Sequence, residues 1–252
     1  MPRVLVGCSG FVYESWRGPF YPEELPPRKW LEHYAAVFPT VELNVTFYRL
    51  PKPRTFDNWY ERTPPGFGFS VKGSRFITHV KKIGETEEAV ALFFENALRL
   101  REKLLAVLWQ FPPAFGIHPE RLGRFLERIR GYPVRQALEF RNESWIAEET
   151  VSLCRRHNVA LCVADWPGFL DRLPATADFV YVRRHGKGGD YASPYTTSEL
   201  RKDETRIRGW LRERRDVLVY FNNDAFGHAP ANARELQEML ALPGRSRGAG
   251  SR

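Results

Sequence analysis

The chain is poor in the residues that would announce several common function classes. It has only 3 cysteines in 252 residues. Cys8, Cys154 and Cys162 are odd in number and lack metal-type spacing. That excludes a disulfide framework and predicts reduced thiols in a cytoplasmic protein. No apolar run approaches the roughly 20 residues of a membrane helix, so no membrane partner is expected. Residues 1–3 lead straight into a short apolar run, which predicts no secretory leader. Histidine is scarce, with 6 in all, and no two are spaced as H-x-x-x-H. Charge of one sign is also limited. The formal net charge is +8, but Arg245, Arg247 and Arg252 fall in residues 243–252, a tail whose composition reads as disordered. Without those three the surplus is +5, which suits an anionic ligand but does not demand nucleic acid.

What the chain does have is a folded composition and a repeating pattern. It is 43% hydrophobic and 14% aromatic, and its length is close to the roughly 250 residues of one complete (β/α)8 barrel. Residues 40–48 alternate strictly and predict a strand: Val41, Leu43, Val45 and Phe47 face one way, Glu42, Asn44, Thr46 and Tyr48 the other. Further strands are expected at residues 3–7, 67–73, 104–111, 136–141, 159–165, 179–185 and 217–223. Helical spacing falls between them at 29–38, 54–62, 85–103, 119–130, 148–158, 198–215 and 232–240. Ser198 is the expected cap of the seventh helix. Residues 11–27, rich in aromatics, Gly and Pro, read as a loop, and residues 166–177 are too broken for a full helix. Eight strands, with only the sixth lacking a full helix, favour a closed α/β TIM barrel over a doubly wound sheet. The expected organisation is one domain over residues 1–242.

In such a barrel, function gathers at the C-terminal strand ends. Here those ends are polar. They carry Glu42, Asn44 and Tyr48, then Lys72 with His79 just beyond, then Gln110, Glu139 with Arg141, Asp165, Arg183 with His185, and Asn222 with Asn223. Unpartnered burial would cost a few kcal/mol for each such group, so they must pair with one another, with water or with a ligand. Glu42, Glu139, Asp165 and His185 are the acid–base candidates. Asn44, Tyr48, Lys72, His79, Gln110, Arg141, Arg183 and Asn222 are the substrate-binding candidates. Any single one reads equally well as part of an internal ion-pair network; the set as a whole is more than packing needs. Lys72 fits an anion contact, or less readily a Schiff-base amine. The loop His185-Gly186-Lys187-Gly188-Gly189-Asp190-Tyr191 reads as an anion-binding nest or simply as a flexible loop. Tyr191 and Tyr195 suit closure over a ligand, and Trp16, Tyr21, Trp109, Trp145 and Trp166 suit stacking on a sugar or base, or core packing.

The expected function is therefore enzymatic: acid–base chemistry on a small polar or anionic, phosphate- or sugar-like substrate, with hydrolase, lyase and isomerase reactions all open. No cofactor is implied. A divalent metal on Glu42, Glu139, Asp165 and His185 is an alternative, opposed by the nearby Arg183. Nucleic-acid binding and a non-catalytic ligand-binding module are the other readings.

Several stretches together resemble the YecE-like family. They are Gly7-Cys8-Ser9-Gly10-Phe11 with Tyr13, Trp16-Arg17-Gly18-Pro19-Phe20-Tyr21-Pro22, Val41 through Tyr48, Phe69-Ser70-Val71-Lys72 and Thr78-His79. The others are Gln110-Phe111-Pro112-Pro113, Glu139-Phe140-Arg141 with Ser144-Trp145, Tyr181-Val182-Arg183 with His185-Gly186, and Phe221-Asn222-Asn223. The resemblance spans residues 4–240 and implies a TIM barrel. It implies no particular activity, beyond an analogy with metal-dependent endonuclease IV-type and sugar-isomerase barrels. Cys8 stands where the family more often has Thr, and Val45 where a small polar residue is usual. The first departure argues against a general role for that thiol.

Overall fold

The computed structural model describes residues 1–241; the expected disordered tail, residues 243–252, lies outside the described residues. Nine parallel strand segments form one nearly closed TIM barrel with helices around it. They are β1 (Val4–Ser9), β2 (Thr40–Leu43), β3 (Gly68–Lys72), β4 (Leu104–Gln110), β5 (Arg135–Glu139), β6 (Ala160–Leu161), β7 (Val163–Ala164), β8 (Phe179–Arg184) and β9 (Asp216–Phe221). Parallel pairing runs β6-β5-β4-β3-β2-β1-β9-β8-β7. The two short segments are the expected sixth strand, broken at Cys162. β6 pairs with β5, and β7 pairs with β8 through Val163↔Val182 and Ala164↔Arg183. The interruption lets one stretch of chain serve both neighbours and bring the barrel round. As expected, only a short 3-10 turn, Gly168–Arg172, follows it.

The helices follow the apolar spacing. In α5 (Pro119–Arg130) the buried residues are Leu122, Phe125, Leu126 and Ile129, one stripe at i, i+3, i+4 and i+7. Each such side chain, fully buried, stabilises by about 1.5–3 kcal/mol. The remaining helices are α1 (Trp30–Val37), α2 (Val45–Tyr48), α3 (Pro53–Glu61), α4 (Glu87–Ala97), α6 (Glu148–Arg156), α7 (Thr197–Arg212) and α8 (His228–Met239). The loop of residues 11–27 packs its aromatics inward: Trp16 and Tyr21 are buried, and Tyr21 stacks on Trp30 with ring centroids 4.7 Å apart.

Two local expectations change. The strand expected over residues 40–48 stops at Leu43. Asn44 turns into the right-handed helical region and α2 follows. Side chains hold this turn: the Asn44 amide donates to Ser9 Oγ (2.7 Å), and the Thr46 hydroxyl donates to the Lys72 carbonyl (2.6 Å). The inside–outside alternation therefore holds for Glu42 but not for Val45 to Tyr48. The cap of α7 is Thr196 rather than Ser198. Its hydroxyl accepts from the Glu199 amide, while the Glu199 carboxylate accepts from the Thr196 amide, making a capping box. Thr196→Ala is expected to lower stability by about 1 kcal/mol, read as a lower urea midpoint with an unchanged slope.

Candidate functional site

β8 supplies the centre of the mouth. Its alternation turns Tyr181 and Arg183 into the barrel, together with His185 just beyond the strand. Arg184 turns outward and forms a two-pronged ion pair with Asp203 of α7. Arg183 is 1% exposed and lies between two buried carboxylates. Its Nη2 donates to Glu42 Oε1 (2.9 Å) and its Nη1 to Glu139 Oε2 (2.7 Å). Glu42 also accepts from the Tyr181 hydroxyl (2.7 Å) and from Ser9 Oγ. Burial alone would raise both carboxyls. Arg183 for Glu42, and Arg141 with Arg183 for Glu139, overcome it and hold both below the usual carboxylate range. The same carboxylates raise Arg183 against the opposing effect of burial. These charges are tolerable in the interior only as a set.

A second layer fixes Arg141. Its Nη2 is ion-paired to Glu139 Oε1 and lies 3.0 Å from His185 Nε2, which is also 3.0 Å from Arg183 Nη1. Guanidinium nitrogens only donate, so Nε2 must accept and the ring proton sits on Nδ1, 3.2 Å from Asp165 Oδ1. Asp165 also receives the His185 backbone N–H (2.9 Å) and the Tyr195 hydroxyl. Burial and then Arg183 lower the His185 pKa, so the ring is neutral and its lone pair is already engaged. Trp166 covers the Arg141 guanidinium at 4.5 Å. Arg141 Nε and Nη1, although buried, have no hydrogen-bond partner.

Lys72, at the end of β3, is 8% exposed. Its ammonium lies 4.3 Å from the centroid of the Phe47 ring. Among the described residues it has no hydrogen bond and no carboxylate within ion-pair distance. Burial, reinforced by Arg183 and opposed by Glu139 and Glu42, pushes it down to about 8. His79 packs edge-on against the same Phe47 ring at 5.0 Å. Burial, then Lys72 and Arg75, push His79 down to about 4. The Asn222 amide satisfies its neighbours when its nitrogen donates to Asp224 Oδ2 (3.1 Å) and its oxygen accepts from Arg183 Nη2 (3.3 Å). Gln110 pairs in register with Glu139 at the end of β4.

The structure thus brings Glu42, Asn44, Lys72, His79, Gln110, Glu139, Arg141, Asp165, Arg183, His185 and Asn222 to one end of the barrel. Tyr48 is 78% exposed, because α2 carries it out of strand register. The site also contains groups that strand alternation did not single out: Ser9, Tyr13, Tyr181 and Asp224. Asp224 follows Asn223, and its Oδ1 is buried without a partner. Burial pushes its carboxyl up to about 7, against the Tyr13 hydroxyl and Arg183.

Three amides of the glycine loop after β8 are engaged within the protein. The Gly186 amide donates to the Tyr195 hydroxyl (2.7 Å), the Gly189 amide to the Gly186 carbonyl (3.0 Å) and the Tyr191 amide to the His185 carbonyl (2.8 Å). Gly189 also admits Trp166, since a Cβ there would meet the indole at 2.3 Å. The donor set does not suit a divalent cation. Glu42 and Glu139 are engaged by the guanidinium groups of Arg183 and Arg141, His185 Nε2 by the same two, and among the described residues no three His, Cys, Asp or Glu are grouped to hold a metal. Of the twelve large hydrophobic side chains exposed among the described residues, nine lie in the connecting segments and short helical turns that follow strands: Val12, Val45, Tyr48, Phe76, Val80, Ile117, Ile146, Tyr191 and Phe226. An apolar rim therefore surrounds a charged floor. Among the described residues no helix is long and apolar enough to cross a membrane.

Comparison with known proteins is consistent with this geometry. Residues 5–250 match a family model described as protein of unknown function DUF72. The chain is 30% identical to the UPF0759 protein YunF of Bacillus subtilis, over 95% of both chains. It is 32% identical to the UPF0759 protein YecE of Escherichia coli K12, over 40% of this chain and 38% of that one. A crystal structure of a DUF72 family protein from Thermotoga maritima superposes with a TM-score of 0.83 at 35% identity, covering 95% of this chain and 99% of that one.

Proposed function

We propose, from the premise that the chain belongs to the DUF72 family, that its barrel mouth binds a small anionic, phosphate- or sugar-like substrate and moves a proton on it. The observation that carries this reading is a set of spare cationic donors: Arg141, ion-paired to Glu139 through Nη2, keeps two further buried nitrogens without hydrogen-bond partners, and the Lys72 ammonium meets only the Phe47 ring. A buried donor left unmade costs about 1–3 kcal/mol, more when charged. A stable fold has little reason to keep such donors on Arg141, with the Lys72 ammonium at the same mouth, unless something binds them.

In this reading Arg141 and Lys72 hold the anion, and Asn44, His79, Gln110 and Asn222 line its surroundings. Arg183 is the strut. Glu42 and Glu139 stay ionised because they hold Arg183 and Arg141, so they act through charge rather than by exchanging a proton. Asp165 and Tyr195 orient His185, and His185 orients Arg141. The group suited to proton transfer at neutral pH is Asp224, with a carboxyl near 7. Charge-assisted hydrogen bonds contribute about 1.5–3 kcal/mol, so Arg141→Met is expected to weaken phosphate binding by about 10- to 150-fold in calorimetric titration. Equal binding by the variant, or no phosphate binding by the wild type, would sink the assignment.

A second reading draws on the rim. Tyr48, Phe76, Tyr191 and Phe226 expose aromatic surface around a cationic floor, which suits the end of a single-stranded nucleic acid. Oligonucleotide binding that falls steeply with salt would favour it. Absence of binding at low salt would remove it.

A further inference from the structure

We infer that Lys72 is a nucleophile that forms an imine with the carbonyl group of a short oxo compound carrying a carboxylate or phosphate. The inference rests on the anion-binding reading above and names the substrate class. Its basis is the contrast between two buried lysines. Lys103 is 6% exposed, and its Nζ donates to the Tyr60 carbonyl (2.6 Å), the Thr63 carbonyl (2.6 Å) and Thr63 Oγ1 (3.1 Å). That is how a structural lysine is satisfied. Lys72 is as deeply buried and has only the face of Phe47. Its polar surroundings also differ from those of an ion-pair partner: Glu42 and Glu139 are bound to Arg183 and Arg141, and neither reaches Lys72 within ion-pair distance. Desolvation beside another cation is the arrangement that frees an amine lone pair for attack.

The remaining parts fit the chemistry. The amine adds to the carbonyl carbon, both of its N–H hydrogens leave with the carbonyl oxygen as water, and a C=N bond replaces C=O. The step needs no external oxidant or reductant. Arg141 supplies unmatched donors for the anionic substituent. Phe47 shields one side of Lys72, and the neutral His79 ring beside it offers a proton relay for the departing oxygen. Asp224, half-protonated near pH 7, offers a second acid at the same mouth.

The test is reductive trapping. Wild-type protein is incubated with pyruvate, glyoxylate or dihydroxyacetone phosphate, each with sodium borohydride, and the modified peptides are mapped by mass spectrometry. Phosphate binding is measured on the same preparation. The expected result is one adduct per chain, on Lys72, suppressed by excess phosphate and absent in Lys72→Arg, which keeps the charge. The pyruvate and glyoxylate arms against the dihydroxyacetone phosphate arm separate an oxo acid from a phosphorylated sugar. Labelling spread evenly over surface lysines would overturn the inference. So would phosphate binding without trapping, which would leave the anion site standing. Neither binding nor trapping would overturn both.

Discussion

Arg183→Leu is expected to destabilise the protein by about 3–5 kcal/mol at neutral pH, the range for removing one partner of a buried ion pair. Glu42 and Glu139 are both fully buried and both lean on this guanidinium. In the wild type their folded pKa values are depressed. Their contribution is therefore present above the unfolded carboxylate range and is lost as pH falls through the folded values. Without Arg183, burial dominates at Glu42, and a carboxyl raised in the folded state behaves in the opposite way. The variant then recovers stability as pH falls towards 4 and loses it as pH rises. Urea unfolding of wild type and variant between pH 4 and 8 reads this directly, as a gap that widens with pH. A gap of constant size would mean that Arg183 stabilises by packing, not by charge. Adding Glu42→Gln to the variant is expected to return part of the loss, because the two sites share one network.

Lys72→Met is expected to act in the reverse direction. Lys72 titrates near 8 in the folded chain against 10.5 as a free side chain. Below pH 8 both states hold the proton and the folded state bears the full penalty of a largely desolvated ammonium, on the order of 3 kcal/mol from the shift. Between 8 and 10.5 the unfolded chain binds more protons, so stability rises with pH and the penalty fades. Met keeps the contact with Phe47 and removes the charge. The variant is therefore expected to be more stable than wild type at pH 7, to lose that advantage by pH 10.5, and to lose phosphate binding. A residue whose removal strengthens the fold while abolishing binding is retained for function. A variant less stable than wild type at pH 7 would show instead that the amine is paired.

The barrel was legible because its signals are local and periodic. Alternation along residues 179–185 placed Arg183 with His185, and along residues 136–141 Glu139 with Arg141, and those pairs do meet. The turn at Asn44 was not legible, because a strand ends where its neighbour stops offering hydrogen bonds, and here side chains of β1 and the backbone of β3 decide that point. Tyr195 reaches Asp165 across 30 residues of chain, a contact that no spacing rule carries. Asp224 lies just past a strand whose last polar residues had already been noticed, and its importance comes from burial, which sequence does not show. The glycines after β8 suggested either a phosphate nest or a flexible loop; one of them, Gly189, lets Trp166, which covers Arg141, close against the backbone. The sharing of Arg183 between Glu42 and Glu139 depends on strands 141 and 44 residues away in sequence. Which cationic donors were left spare became visible only once those partners were assigned.

The titration of Lys72 tests the account most directly. Nitrogen- or carbon-detected NMR of the Lys72 side chain gives its pKa in the free protein and again in the presence of phosphate. The account predicts a value near 8 in the free protein and a rise when phosphate binds, because a nearby anion favours the ammonium. A free value near 10.5 that phosphate leaves unmoved would contradict it.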